Sequence, residues 1–206
     1  MKTNNFHHTF LCVLLSSSLL VMPMQSAFPC TRAVYFGKEG QTVTRGTMDW
    51  LEDMQSKLYV FPRGMARDGG LGDKSLKWIT KYGSVITSVY EDGTADGMNE
   101  KGLVANLLYL AESEYAPLDD RRPAIVISAW AQYFLDNFPT VQAAVTEARQ
   151  DKFRVVAVKA PNGMEGLVHL SLSDASGDSA IFQYINGKLV IHHGKQFQVM
   201  TTRETT

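Results

Sequence analysis

Cysteine is scarce in this chain, which holds only Cys12 and Cys30 among 206 residues. A disulfide framework is therefore excluded unless those two pair, and Cys12 falls in a segment expected to be removed. An excess of either charge is lacking too, with 20 basic residues against 21 acidic ones and a formal net charge of -1. Without a basic run or a basic-aromatic stripe there is no electrostatic pull on nucleic acid or anionic lipid. Long apolar runs are also missing. The run Phe10–Met22 falls short of the roughly 20 residues a permanent membrane helix needs, which excludes a stable membrane anchor. No internal repeat or low-complexity tract occurs. What remains is a chain of average apolar content, 45%, long enough for one soluble domain with a sizeable core.

The first segment has Lys2, His7 and His8, then Phe10–Met22, then Pro23 with small residues at Ser26 and Ala27. This is the pattern of a secretory signal peptide. Residues 1–29 are thus expected to be a leader with a short pro-segment, and residues 30–206 a domain exported to the periplasm or secreted. Cleavage after Ala27 leaves Phe28-Pro29 for a second removal, after which Cys30 becomes the amino terminus. The residues before Cys30 do not fit a lipoprotein. In an oxidising compartment an unpaired thiol is a liability unless it is used. The alternative, a small buried hydrophobe, stays open.

The stretch Cys30–Trp50 organises the rest. The runs Ala33–Gly37 and Thr42–Met48 flank the turn-forming Lys38-Glu39-Gly40-Gln41, so a β-hairpin is expected to return Asp49 towards Cys30. An amino-terminal cysteine carries a nucleophile and a base in one residue, because its α-amine can take the thiol proton. A carboxylate such as Asp49 would hold that amine, and a nearby arginine would favour the thiolate. His169, His192 and His193 lie in strand-like runs without metal-ligand spacing and read as core or edge residues. No cofactor or metal is called for.

Further strands are expected at Leu58–Pro62, Ser84–Tyr90 and Leu103–Leu110, the last continuous enough to be covered on both faces. Turn chemistry is expected over Glu91–Gly102. The glycine-rich loop Asp68–Asp73 either borders a cleft or merely connects. Helices are expected at Ala124–Phe138 and Thr140–Arg149. From Phe153 onward the pattern returns to strands, with turns at Asp174–Asp178 and Asn186-Gly187. Strands, then helices, then strands imply an α+β or layered domain.

Several blocks in order, Cys30-Thr31, Thr47–Trp50, Asp96–Leu103, His169–Gly177 and Val199–Thr201, closely resemble the choloylglycine hydrolase family. These are linear amide C–N hydrolases of the N-terminal-nucleophile superfamily, among them penicillin V acylases and bile salt hydrolases. The resemblance implies an αββα sandwich, Cys30 as nucleophile, Asp49 holding its α-amine and Tyr109 lending a backbone N–H to the oxyanion. Tyrosine at 109 resembles the penicillin V acylase side of the family. A small acylated amide would be the substrate and a homo-oligomer the assembly, with Asn99 shaping its turn.

Three departures stand out. The family's arginine lies three residues before the aspartate, where this chain has Gly46; Arg45, one place early and so on the opposite face of a strand, is the candidate to replace it where a bulge or its long side chain restores the approach. Thr202 stands where the family has an oxyanion asparagine. The pattern stops at Thr202, so the sandwich is expected to be incomplete at its C-terminus, with apolar faces and strand edges uncovered. Two functions follow: an amide hydrolase weakened by these changes, or a non-catalytic remnant that binds acyl ligands or a protein partner.

Overall fold

The computed structural model describes residues 30–202 except 92 and 119–121. Cys12 and the expected leader lie outside the described residues.

The chain begins with the expected hairpin. β1 (Thr31–Phe36) and β2 (Thr42–Thr47) pair antiparallel from Thr31↔Thr47 to Phe36↔Thr42, and Gly40, at φ +76°, supplies the left-handed residue in the connection. β14 (Val199–Thr201) joins the other edge of β1, completing a three-stranded sheet.

The second sheet has seven strands, all antiparallel to their neighbours. Its members are β3 (Leu58–Phe61), β6 (Ser84–Val89), β7 (Gly93–Asn99), β8 (Val104–Tyr109), β11 (Val168–Ser173), β12 (Ser179–Ile185) and β13 (Lys188–His193). Their order is β13-β12-β11-β8-β7-β6-β3. β4 (Ala66–Asp68) and β5 (Lys77–Ile79) form a small separate pair, as do β9 (Ala124–Val126) and β10 (Arg154–Val156).

Alternation along the central strands feeds two different cores. Ala105, Leu170, Leu172, Ala180 and Phe182 face one way and pack with Trp130, Phe134 and Leu135 of α1 (Ile127–Asn137) and Val141, Ala144 and Val145 of α2 (Val141–Ala148). Leu108 and Ile181 face the other way and meet Met200 of the three-stranded sheet and Cys30 just before it. The central strands are therefore covered on both faces. Among the described residues the layers are helix, sheet, sheet, an α+β arrangement in which helices occupy one outer face. Beyond the reach of the smaller sheet, the row Val60↔Val85↔Met98 is 77, 47 and 53% exposed. An apolar strip of this sheet is thus exposed among the described residues.

Two expectations are corrected. Residues 93–99 are a strand, not turn chemistry, although Gly93 and Gly97 weaken that pattern. Gly97 is there for close approach: a Cβ would lie 2.7 Å from Ile86 Cγ2 and 2.8 Å from Leu135 Cδ1. Residues 124–126 form β9 ahead of the helix. The glycine-rich loop connects β4 to β5 through a 3-10 turn at Gly72–Lys74. Asn99 does shape its turn, accepting from Lys101 N and Leu103 N, and its Nδ2 also donates to Leu135 O and Phe138 O at the end of α1. Asp174 accepts from Ser176 N in its turn and, through its other oxygen, from Val141 N at the start of α2.

Candidate active site

Cys30 directly precedes β1, and its side chain enters the layer between the two sheets, where it is 4% exposed. The two-residue period of a strand turns Cys30, Arg32 and Val34 to this inner face, and all three are buried. Because the β1–β2 ladder closes at Thr31↔Thr47, the next residues of the chain run past the thiol. Asp49 N–H donates to Cys30 Sγ at 3.3 Å, and the thiol donates to Asp49 O at 3.4 Å. The hairpin thus brings together the two residues it was expected to join.

Burial raises the thiol's pKa above its usual value. The hydrogen bond from Asp49 N pulls it back down, while the negative charges of Asp49 and Asp96 push it up. The environment of Cys30 therefore favours the neutral thiol over the thiolate.

Tyr109 ends β8, and its ring lies against Trp50 with centroids 5.5 Å apart. Leu110 N donates to Leu167 O at 2.9 Å. The alternation of an antiparallel ladder then aims the N–H of Tyr109 towards the opposite edge of β8. Cys30, Trp50, Tyr109 and Met164 lie where two cavities meet. The larger, about 380 Å³, is walled mainly by apolar side chains including Met48, Met54, Leu107 and Ile127. The smaller, about 240 Å³, is bordered by Asp49, Leu51, Ala111 and Thr202. An amide bond at the junction would have room for an apolar acyl group on one side and an amine fragment on the other.

Arg45 is not brought to this site. It pairs with Ala33 in a ladder that runs through Gly46 without a register shift, so it occupies the outer face and is exposed. Gly46 does face inward: a Cβ there would lie 3.4 Å from Asp96 Oδ2 and 3.7 Å from Asn106 Nδ2. Asn106 Nδ2 donates to Asp96 Oδ1 at 2.8 Å, and burial raises the pKa of the Asp96 carboxyl.

Two residues were missed from the sequence. Arg32, 0% exposed, donates to Phe197 O and Leu172 O and so ties the two sheets together beneath the thiol; burial lowers its pKa to about 10. Its position two residues after Cys30 was a legible signal. Asp96 was visible only as part of a motif, because its approach to Gly46 depends on how the two sheets stack.

The family model for "Linear amide C-N hydrolases, choloylglycine hydrolase family" matches residues 30–205. A penicillin V acylase of Pectobacterium atrosepticum is 45% identical over 218 residues, covering 100% of this chain and 57% of the relative. The solved penicillin V acylase of Agrobacterium tumefaciens is 54% identical, with a TM-score of 0.78 over 84% of this chain and 52% of its own. A conjugated bile acid hydrolase from Clostridium perfringens, solved as a mutant, shares the fold at 23% identity, with a TM-score of 0.72 over 86% of this chain and 54% of its own. The chain thus spans little more than half the length of these relatives. With the matched region beginning at the buried thiol and taking in the two large sheets and the two described helices, the chain belongs to the choloylglycine hydrolase family of linear amide C–N hydrolases.

Proposed function

We propose that this chain hydrolyses the linear amide of a small substrate with an apolar acyl group, using Cys30 as an amino-terminal nucleophile. The observation that carries the reading is the thiol's place at the junction of the two cavities, hydrogen-bonded to the backbone of Asp49. Once residues 1–29 are removed, the freed α-amine of Cys30 takes the proton from Sγ. The sulfur attacks the amide carbonyl, and the N–H of Tyr109 faces the developing oxyanion. The ammonium, held by the Asp49 carboxylate, passes its proton to the leaving nitrogen. Water then attacks the thioester, returns a proton to the site and releases the acid.

Two relatives of 45 and 54% identity are penicillin V acylases, which favours a penicillin V-like acyl amide over acylated homoserine lactones or conjugated bile acids. The reading also takes the mature protein as exported. The test is amine release from penicillin V, an N-acyl homoserine lactone and a glycine-conjugated bile acid by chain whose amino terminus is verified as Cys30. Turnover should vanish with Cys30→Ser. Turnover that survives Cys30→Ser, or that occurs with residues 1–29 still attached, overturns the mechanism.

A second reading, a non-catalytic acyl binder, is favoured by one observation. The inward position that would bear a cation beside Asp96 is Gly46, and Arg45 points away. Binding of penicillin V without any thiol-dependent turnover would select it.

A further inference from the structure

The loop that carries Asp49 and Trp50 runs without regular structure from Met48 to Lys57, yet it forms a wall of the larger cavity through Met48, Trp50 and Met54. Something must hold it. Its contacts converge on one hydroxyl. Trp50 Nε1 donates to Tyr90 Oη at 2.9 Å, and Tyr90 Oη donates to Glu52 Oε1 at 2.6 Å. From a third segment, Asn162 Nδ2 donates to the same Glu52 oxygen at 2.8 Å and approaches Tyr90 Oη at 3.2 Å. Asn162 is itself fixed, since its Oδ1 accepts from Met164 N at 3.0 Å. The backbone repeats the tie, with Tyr90 N donating to Met54 O at 2.9 Å.

Three chain segments are thereby joined across the cavity mouth, and each also presents apolar atoms to its interior through Trp50, Tyr90 and Met164. Tyr90 sits at φ +49° and Glu91 at φ +67°, a left-handed pair without glycine, sterically costly backbone that the surrounding contacts must hold in place. A phenol hydroxyl has one proton to give and two lone pairs to offer; here the proton goes to Glu52 and the lone pairs face Trp50 Nε1 and Asn162 Nδ2. Trp50 in turn lies against Tyr109 and borders both cavities.

We propose that Tyr90, Glu52 and Asn162 form a clasp that positions Trp50 as a wall between the two cavities and thereby sets which acyl groups the site selects. Tyr90 is the central positioning residue; its oxygen touches no reacting atom and acts through the indole. The proposal rests on the larger cavity being the acyl site, the reading given above. Short acyl groups would barely meet the Trp50 wall, while long or bulky ones pack against it.

The test uses N-octanoylglycine and N-acetylglycine, with glycine release as the assay. Tyr90→Phe keeps the ring and removes the hydroxyl. The octanoyl-to-acetyl ratio of kcat/KM should fall roughly tenfold, the worth of one or two hydrogen bonds, and the change should appear in KM for the octanoyl substrate. Glu52→Gln, which keeps an acceptor oxygen, should retain most of the parent ratio, and Glu52→Ala should follow Tyr90→Phe. Acrylamide quenching of the Trp50 emission, assigned by difference with Trp50→Phe, should rise at least twofold in Tyr90→Phe. A ratio or a quenching constant within twofold of the parent overturns the clasp. If the parent chain releases no glycine, the hydrolase reading is judged by the penicillin V assay above and the clasp by binding. Calorimetric binding of N-octanoylglycine to Cys30→Ala with and without Tyr90→Phe then decides the clasp, a tenfold weakening supporting it and a change under twofold overturning it.

Discussion

Asp49 touches the Cys30 sulfur with its backbone alone: its N–H donates to Sγ at 3.3 Å and its carbonyl accepts from the thiol at 3.4 Å. The carboxylate takes no part in that pair, and its charge raises the thiol's pKa. Replacing Asp49 by Asn should therefore act in opposite directions on two readouts. Removal of the negative charge lowers the thiol pKa, so iodoacetamide labelling of Cys30 at pH 8, followed by peptide mapping, should speed up severalfold. Amide turnover by the mature chain should fall by a factor on the order of 100 or more, because the ammonium loses its anchor. A fall in both would show that the substitution had displaced the sulfur instead.

Gly46 offers the converse experiment. Its inward Cβ position faces Asp96 Oδ2 at 3.4 Å, an ordinary contact distance, so Gly46→Ala should fold and leave labelling unchanged. Gly46→Arg would place a guanidinium beside the Asp96 carboxylate, one of the charges that raises the Cys30 pKa. A cation there offsets the Asp96 charge and favours the thiolate, and an opposite charge within about 4 to 6 Å shifts an acid's pKa down by about 1 to 3 units. The inflection of iodoacetamide labelling against pH should move down by at least about one unit. An unmoved inflection would mean that the guanidinium turns away from the thiol.

The hairpin and the meeting of Cys30 with Asp49 were legible because both are local: two strand-like runs on either side of a glycine-bearing turn bring the ends of the segment together. The helices were legible from their apolar stripes, and Leu103–Leu110 as a doubly covered strand from its unbroken apolar run. The strand at 93–99 was not legible, because its glycines look like turn residues until Leu135 of the helix is seen against Gly97. The Tyr90 clasp was hidden for a related reason. Glu52, Tyr90 and Asn162 are far apart in the chain, and only the strand order brings their segments to one cavity mouth. Arg45 failed as a stand-in for a site arginine because an unshifted ladder leaves no freedom to exchange faces.

Between the sheets, His169 is 0% exposed, and burial lowers its pKa from 6.5 to about 4. The unfolded chain binds a proton at this residue near its ordinary pKa, while the folded chain resists protonation. The stability it preserves is fully present above pH 6.5 and is lost as the pH falls towards 4, by about 3 kcal/mol if the full shift is realised. His169→Gln should remove that slope. Urea unfolding of parent and variant at pH 7.0 and pH 4.5 measures it, and a parent-minus-variant difference that stays constant between the two pH values would contradict the neutral, buried state of the ring.

Gly97 sits where α1 comes closest to the seven-stranded sheet. A Cβ there would be 2.7 Å from Ile86 Cγ2, 2.8 Å from Leu135 Cδ1 and 3.0 Å from Val85 O. Two of the three are side-chain atoms of buried residues in the helix-side core, so relief must come from moving the helix or the strand. Gly97→Ala should therefore destabilise by about 1 to 3 kcal/mol, although alanine ordinarily favours regular structure over glycine. The neighbouring residues Asp96 and Met98 face the other side of the sheet, so labelling of Cys30 should change far less than stability. Chemical denaturation midpoints read the first effect and iodoacetamide kinetics the second. A Gly97→Ala chain as stable as its parent would show that helix and sheet can separate at this point at little cost.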